Sequence, residues 1–218
     1  MNTDLPQVVQ IYFDPVSPYV WLAFKEIGAL QAAGLALHCR PVLFAGLLNA
    51  HGQKGPAEIP AKRAYVFGDV LRLAARKGYT FKGPPTHPFN PLRALRMCIA
   101  LEQADERLKF AQALLEACWE QGEDLGDRHT LERIAQRSGL DAQQLSAAAE
   151  RPEIKARLME STDAAIKAGV FGVPTYRFRD ELFWGGDRME TLLWRLQHPE
   201  REEALLQDFL SRGASAQR

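Results

Sequence analysis

Val8-Val9-Gln10-Ile11-Tyr12-Phe13-Asp14-Pro15-Val16-Ser17-Pro18-Tyr19-Val20-Trp21 is the stretch on which the fold turns. Its first six residues are β-branched or aromatic around one glutamine, and Asp14-Pro15 stops them. That pattern predicts a buried strand. Ser17-Pro18 follows as a helix N-cap with proline at the first helical position. Val20, Phe24, Ile27 and Leu30 continue at helical spacing, so one helix is expected up to Gly34. Leu35, Leu37 and Cys39 then alternate, which predicts a second strand from Leu35 to Val42. Strand, helix and strand in this order make a right-handed βαβ unit with parallel strands.

Beyond Phe44 the chain changes character. Pro60 to Lys77 reads as a helix, and a proline-rich loop spans Gly83 to Pro91. Leu92 to Glu120 reads as two helices breaking near Asp105. Asp127 to Ser138, Asp141 to Glu150 and Pro152 to Ala168 read as three more, with Asp141 as an N-cap and Gly122, Gly139 and Gly169 as stops. Strand character returns at Val173 to Phe178, turns at Asp180-Glu181 and comes back along Leu182-Phe183-Trp184. Gly185-Gly186-Asp187 closes this hairpin, Met189 to Gln197 reads as the last helix, and the small polar residues from Ser211 predict a frayed tail. The order βαβ, helices, ββα is that of an α/β thioredoxin-like fold with a large all-helical insertion between its halves. On this reading residues 1–43 and 169–218 form the thioredoxin-like domain, and residues 44–168 form the helical subdomain.

Composition narrows the function classes. The 218 residues carry no formal net charge, which argues against nucleic acid, because phosphate contacts demand a basic excess. Cys39, Cys98 and Cys118 are too few and too scattered for a disulfide framework or a zinc site. Neither these nor the five histidines fall at metal-ligand spacings, so no metal is expected. Met1 to Gln10 lacks a basic stretch leading into an apolar core, and no apolar run approaches membrane-spanning length. A protein of the reducing cytoplasm, off the membrane, is expected. Locally the charge is uneven: His51 to Arg96 holds nine Lys/Arg against Glu58 and Asp69, while Met97 to Glu150 is net acidic. Either two solvated faces neutralise each other, or the basic stretch attracts a small anion.

Four stretches can carry chemistry. Ser17 sits where a parallel strand hands over to a helix, at the end of the sheet where ligands of open α/β folds bind. It is either a plain cap or a neutral donor to a thiolate or carboxylate held at the helix N-terminus. Val173-Pro174 is either an ordinary strand start or, with a cis bond, a site whose Val173 backbone pairs with an extended peptide. Asp187 can cap the last helix or meet an ammonium group beside Gly186. Lys62 and Arg63 are surface cations or partners of a ligand carboxylate. Ser17 has no surrounding Gly-x-Ser-x-Gly elbow and no evident triad.

Taken together, Phe13-Asp14-Pro15-Val16-Ser17-Pro18-Tyr19, Ile59-Pro60-Ala61-Lys62-Arg63-Ala64-Tyr65, Phe89-Asn90-Pro91-Leu92-Arg93-Ala94-Leu95-Arg96 and Phe171-Gly172-Val173-Pro174-Thr175 with Trp184-Gly185-Gly186-Asp187-Arg188 resemble the 2-hydroxychromene-2-carboxylate isomerase family. That family is a glutathione-dependent branch of the thioredoxin-like disulfide oxidoreductases, close to the kappa-class glutathione transferases. The resemblance runs from about Val9 to Leu196. Redox relatives carry Cys-x-x-Cys where this chain has Ser17-Pro18-Tyr19-Val20, so dithiol exchange is impossible here and a thiol must be borrowed. The resemblance implies that Ser17 holds the glutathione thiolate and that Pro18 and Tyr19 stand beside it. It further implies that Val173, before a cis-Pro174, pairs with the cysteinyl backbone. Gly186 and Asp187 take the γ-glutamyl end, and Lys62 meets the glycyl carboxylate or the acid group of a small aromatic substrate. Gln53 stands where members commonly carry asparagine, and Gly186 where they often carry serine.

The implied reaction is a cis/trans-type isomerisation of 2-hydroxychromene-2-carboxylate, or a similar product of aromatic breakdown, through reversible conjugate addition of the thiolate. Tyr19, Trp21, Phe44, Phe89 and Trp184 are candidates for the aromatic wall, although Phe44 and Phe89 suit a core equally. A homodimer is expected from the relatives. The alternatives are a kappa-like transferase or peroxidase acting on other electrophiles, and a glutathione-binding module without chemistry. A periplasmic disulfide catalyst is disfavoured by Ser17 and Val20.

Overall fold

The computed structural model describes residues 7–199 and 202–213. Strand β1 (Val8–Phe13) leads into helices α1 (Pro18–Phe24) and α2 (Gly28–Ala32), then strand β2 (Ala36–Pro41). Helices α3 (Phe44–Ala50), α4 (Pro60–Lys77), α5 (Leu92–Ala100), α6 (Ala104–Glu116), α7 (Arg128–Arg137), α8 (Ala142–Ala148) and α9 (Pro152–Lys167) follow. Strands β3 (Thr175–Phe178) and β4 (Glu181–Trp184) then form a hairpin, and α10 (Met189–Gln197) and α11 (Glu203–Ser211) end the described chain. The strand order is β2-β1-β3-β4, with β1 parallel to β2 and the β1–β3 and β3–β4 pairs antiparallel. This is the expected thioredoxin-like fold.

Local chemistry explains several boundaries. Asp127 Oδ2 accepts from Thr130 N–H at 2.7 Å and starts α7, and Asp141 Oδ1 accepts from Gln144 N–H at 2.9 Å and starts α8. Gly122 and Gly169 take φ of +74° and +84°, so each ends its helical run in a conformation that a side chain would resist.

Several expectations need correction. The helix foreseen from Ser17 to Gly34 is two helices. Between them Glu26 N–H bonds to Ala23 C=O and Ala29 N–H to Glu26 C=O, a tighter i→i−3 path that rotates the chain and still buries Ile27 and Leu30. The hairpin turn is Arg179-Asp180, not Asp180-Glu181, because Phe178 pairs with Glu181 and Arg179 supplies the positive φ of 55°. Helix α6 stops at Glu116 and a π-helical turn, Ala117–Gln121, extends it. Helix α10 is not the last: α11 follows, with Leu205, Leu206, Phe209 and Leu210 exposed, and Ser211 belongs to it. The segment 1–6 and the tail 214–218 lie outside the described residues.

One apolar cluster runs from the sheet into the helices. Phe13 and Tyr176 are buried on the strands, and Trp21, Phe110 and Trp119 are buried on the helical side. A chain of rings links the two parts: Trp21 to Phe81 at 5.7 Å, Phe81 stacked on Trp119 at 5.8 Å, and Trp119 to His87 at 5.7 Å. The helical segment therefore bears directly on α1 and on the loop before it.

Candidate active site

Ser17 is the residue before α1, with extended backbone (φ −93°, ψ 120°) and 7% exposure. Its hydroxyl makes no capping hydrogen bond. Helix N-termini leave N–H groups without intrahelical partners, and a serine there normally turns its oxygen to them. Here Ser17 makes no such bond and instead lines a cavity of about 490 Å³, together with Pro18, Tyr19, Gln53, Lys62 and Val173. Phe44, Phe67, Phe89 and Trp184 give that cavity an aromatic lining.

The field in this cavity is set by which charges are already used. Asp14 is fully buried, its Oδ1 accepting from Val16 N–H at 3.0 Å and its Oδ2 from Phe44 N–H at 2.9 Å. Burial pushes its pKa up to about 7, against the pull of those two N–H groups. Glu58 Oε1 is turned onto Gly55 N–H at 2.6 Å. Arg63 donates to the His87 carbonyl at 3.1 Å and stands 6.0 Å over the Phe67 ring. Lys54 and Lys62 line the cavity without an ion-pair partner among the described residues. Both carboxylates face backbone donors while two ammonium groups are free, so the cavity favours an anion. Of the two cations at the head of α4, the structure leaves Lys62 available and engages Arg63.

A second cavity of about 580 Å³ adjoins the first and shares Tyr19, Val173 and Trp184 with it. Pro174, Gly186 and Asp187 line it, with charges of both signs around them. Asp187 pairs with Arg188 at 3.0 Å, Glu26 with Lys77, and Asp69 accepts from Tyr19 Oη at 3.0 Å. That hydrogen bond adds to burial in raising the Tyr19 pKa, so Tyr19 remains a neutral phenol. Mixed charge suits a zwitterionic amino-acid head. Val173 sits between the two cavities, just before the ladder that begins at Thr175, and the Val173–Pro174 bond is cis. Ser17, Pro18, Tyr19, Gln53, Lys62, Val173, Pro174, Gly186 and Asp187, the residues the resemblance assigned to glutathione, thus each line one cavity or the other.

Two sequence readings fail here. Trp21 is not in the cavity wall: it is buried, with its indole N–H donating to Glu120 at 2.9 Å. Asp187 does not cap α10, whose N-cap is Arg188; it lies inside the 3₁₀ turn Gly186–Arg188 with its carboxylate exposed. Phe44 and Phe89 prove to be both core and wall. Asp14, Asp69 and His87 are site residues that the sequence did not mark. His87 lies in the proline-rich loop, its ring 5.1 Å edge-on to Phe67, and burial holds its imidazolium below the ordinary range. The one local sign of Asp14 was the Asp-Pro that ends β1, which reads equally as a turn.

The three cysteines are buried, and none lines either cavity. Fold and site together define a thioredoxin-fold protein with a serine where a redox dithiol would stand. The chain belongs to the DSBA-like thioredoxin domain family, whose profile matches residues 8–197. It is 30% identical to glutathione S-transferase kappa 1 of Homo sapiens, over 86% of this chain and 90% of that one. To 2-hydroxychromene-2-carboxylate isomerase of Sphingobium xenophagum it is 28% identical, over 86% of this chain and 97% of that one. A solved structure of a 2-hydroxychromene-2-carboxylate isomerase superposes with a TM-score of 0.81 at 26% identity, covering 91% of this chain and 98% of the other. Among the described residues no helix is long and apolar enough to cross a membrane, and no group of side chains is placed to hold a metal ion.

Proposed function

We propose that this protein is a glutathione-dependent isomerase of a small aromatic carboxylate, 2-hydroxychromene-2-carboxylate or a close analogue. The observation that carries this reading is the uncapped Ser17 hydroxyl, opening on an anion-favouring cavity that holds no cysteine. The residues present fit a γ-glutamyl tripeptide. Such a chain spans about 10 Å when extended, and the mixed-charge and basic cavities adjoin along the shared Tyr19, Val173 and Trp184 wall. Asp187 and the turn at Gly186 would take the amino-acid head, Val173 the peptide backbone, and Lys62 or Gln53 the far carboxylate. Bound glutathione would supply the thiolate that adds to a conjugated double bond and leaves it again. Ser17 donates a hydrogen bond to the sulfur and holds it ionised. The phenylalanine lining keeps an aromatic acid planar and dry, while Lys54 balances its carboxylate. The setting is the reducing cytoplasm, and the assembly a homodimer as in the relatives the sequence resembles.

A kappa-like transferase acting on other electrophiles is the second reading. The kappa-class relatives are as similar as the isomerases, which favours it. Gln53, one methylene longer than asparagine, also displaces an amide in a site where about 1 Å matters. Turnover of 2-hydroxychromene-2-carboxylate with and without glutathione decides. The isomerase requires glutathione and leaves its concentration unchanged. Depletion of one glutathione per product establishes the transferase, and absence of both binding and turnover overturns the glutathione reading.

Gly172 gives a second test. A Cβ there would meet Trp184 Nε1 at 2.6 Å and Cε2 at 3.3 Å, so Gly172→Ala must swing the indole out of the shared wall. Trp184 is half exposed, so the fold tolerates this. Glutathione affinity is expected to fall about tenfold by calorimetry, the worth of one lost aromatic contact, with the melting temperature nearly unchanged.

A further inference from the structure

The loop Asp14 to Ser17 has every one of its backbone polar groups from Pro15 C=O to Ser17 N–H paired. Val16 N–H bonds to Asp14 Oδ1, and Ser17 N–H to Asp14 C=O at 3.1 Å. The two carbonyls are held from the helical segment. Pro15 C=O accepts from Trp119 Nε1 at 3.0 Å, and Val16 C=O from His87 Nε2 at 2.9 Å. A carbonyl only accepts, so His87 Nε2 carries the proton and Nδ1 the lone pair. Nδ1 is buried without a hydrogen-bond partner among the described residues. The ring is gripped between Phe67 and Trp119, and the His87 carbonyl takes a hydrogen bond from Arg63, next to Lys62. A single neutral tautomer therefore faces the loop.

We propose that His87 is a positioning residue for Ser17, acting through the Val16 carbonyl. The peptide plane between Val16 and Ser17 is rigid. Its oxygen is tied to His87 and its N–H to Asp14 C=O. With this plane held at both ends, and the Ser17 C=O held in turn by Val20 N–H at 3.1 Å, rotation about the Ser17 N–Cα bond is restrained and the direction of its Cα–Cβ bond is set. A donor hydroxyl must be placed within a few tenths of an ångström of a thiolate to stabilise it. Without the Nε2 donor the plane tips, and the hydroxyl loses its aim while α1 stays folded. This inference rests on the reading of Ser17 as the group that faces the thiol.

Three variants test it. His87→Gln puts an amide N–H close to the place of Nε2. His87→Asn keeps an amide that is too short to reach. His87→Leu keeps the volume and removes the donor. Hydrogen exchange of peptides covering Val16 to Val20 is measured without ligand, and the pKa of the bound glutathione thiol by its ultraviolet thiolate band. In the leucine variant, exchange at Ser17 is expected to quicken about tenfold, with peptides from α9 unchanged, and the bound thiol pKa to rise by about one pH unit. The glutamine variant is expected to stay within about twofold of wild type. Should the leucine variant not fold, the asparagine variant takes its place against glutamine. Wild-type exchange and thiol pKa in the donor-less variants would overturn the proposal, and so would a glutamine variant as impaired as leucine. If wild type binds no glutathione, the functional reading falls while the exchange comparison still decides whether His87 positions Ser17.

Discussion

Ser17→Ala is expected to raise the pKa of the bound glutathione thiol by about one to two pH units and to lower turnover at neutral pH about 10- to 100-fold. The size follows from removing one hydrogen bond to a charged acceptor, worth about 1.5–3 kcal/mol, at about 1.4 kcal/mol per pH unit. Stability should scarcely move. Replacing a capping serine by alanine ordinarily costs about 1 kcal/mol. Here the hydroxyl makes no capping bond, so the change in unfolding free energy should stay below about 0.5 kcal/mol. Function and stability thus part company at this one atom. The thiolate band of the bound tripeptide, followed from pH 5 to pH 10 beside a urea titration, measures both. An unchanged thiol pKa would remove Ser17 from the chemistry. A loss of about 1 kcal/mol in stability would return it to the role of a cap.

Asp14→Asn is expected to destabilise the protein by about 1–3 kcal/mol at pH 5, and this deficit should shrink as the pH rises. Both oxygens of Asp14 accept backbone N–H groups, from Val16 and from Phe44. An amide has one acceptor, so in the variant one of those N–H groups faces another donor inside the core. The pH dependence comes from burial. Asp14 is raised from 3.8 to about 7 because the interior penalises its charge. An acid raised in this way binds more protons folded than unfolded between those two values. Its contribution to stability is whole below pH 3.8 and is lost as pH rises through 7. Asparagine does not titrate. The gap between variant and wild type should therefore close by about 2–3 kcal/mol between pH 5 and pH 8, while groups common to both proteins cancel. Urea unfolding at the two pH values is sufficient. A gap independent of pH would mean that Asp14 is ionised throughout, its charge held by the two N–H groups.

Asp14 also shows why part of the site was hidden in the sequence. An Asp-Pro after a strand announces a turn, and nothing in the neighbouring letters says that Phe44 will deliver an N–H to the carboxylate. His87 and Val16 are 71 residues apart, Trp119 and Pro15 are 104 apart, and each pair meets through one side-chain donor. Such contacts have no period and no spacing to read. Trp21 misled for the same reason: a large aromatic four residues beyond Ser17 suits a cavity wall or a core, and the partner that settles it, Glu120, belongs to another part of the chain. The Lys25–Ile27 break escaped because Ile27 and Leu30 keep their apolar spacing through a tighter turn.

The features legible in the residues alone are local in origin. The strand ending at Asp14, the proline-started helix after Ser17, the caps Asp127 and Asp141, the long helix Pro60–Lys77 and the closing hairpin all follow from φ/ψ preferences, side-chain period and capping within a few residues. Those signals sufficed for the βαβ–helices–ββα order, and that order admits few topologies. Tertiary structure alone decided which donors and acceptors remain for a ligand. Ser17 keeps its hydroxyl because the Val20 N–H it would cap is bonded to the Ser17 carbonyl, and Lys62 stays free while Arg63 is spent on His87. Every polar group in a folded chain is either satisfied or offered, and which of the two depends on partners that only packing brings within 3 Å.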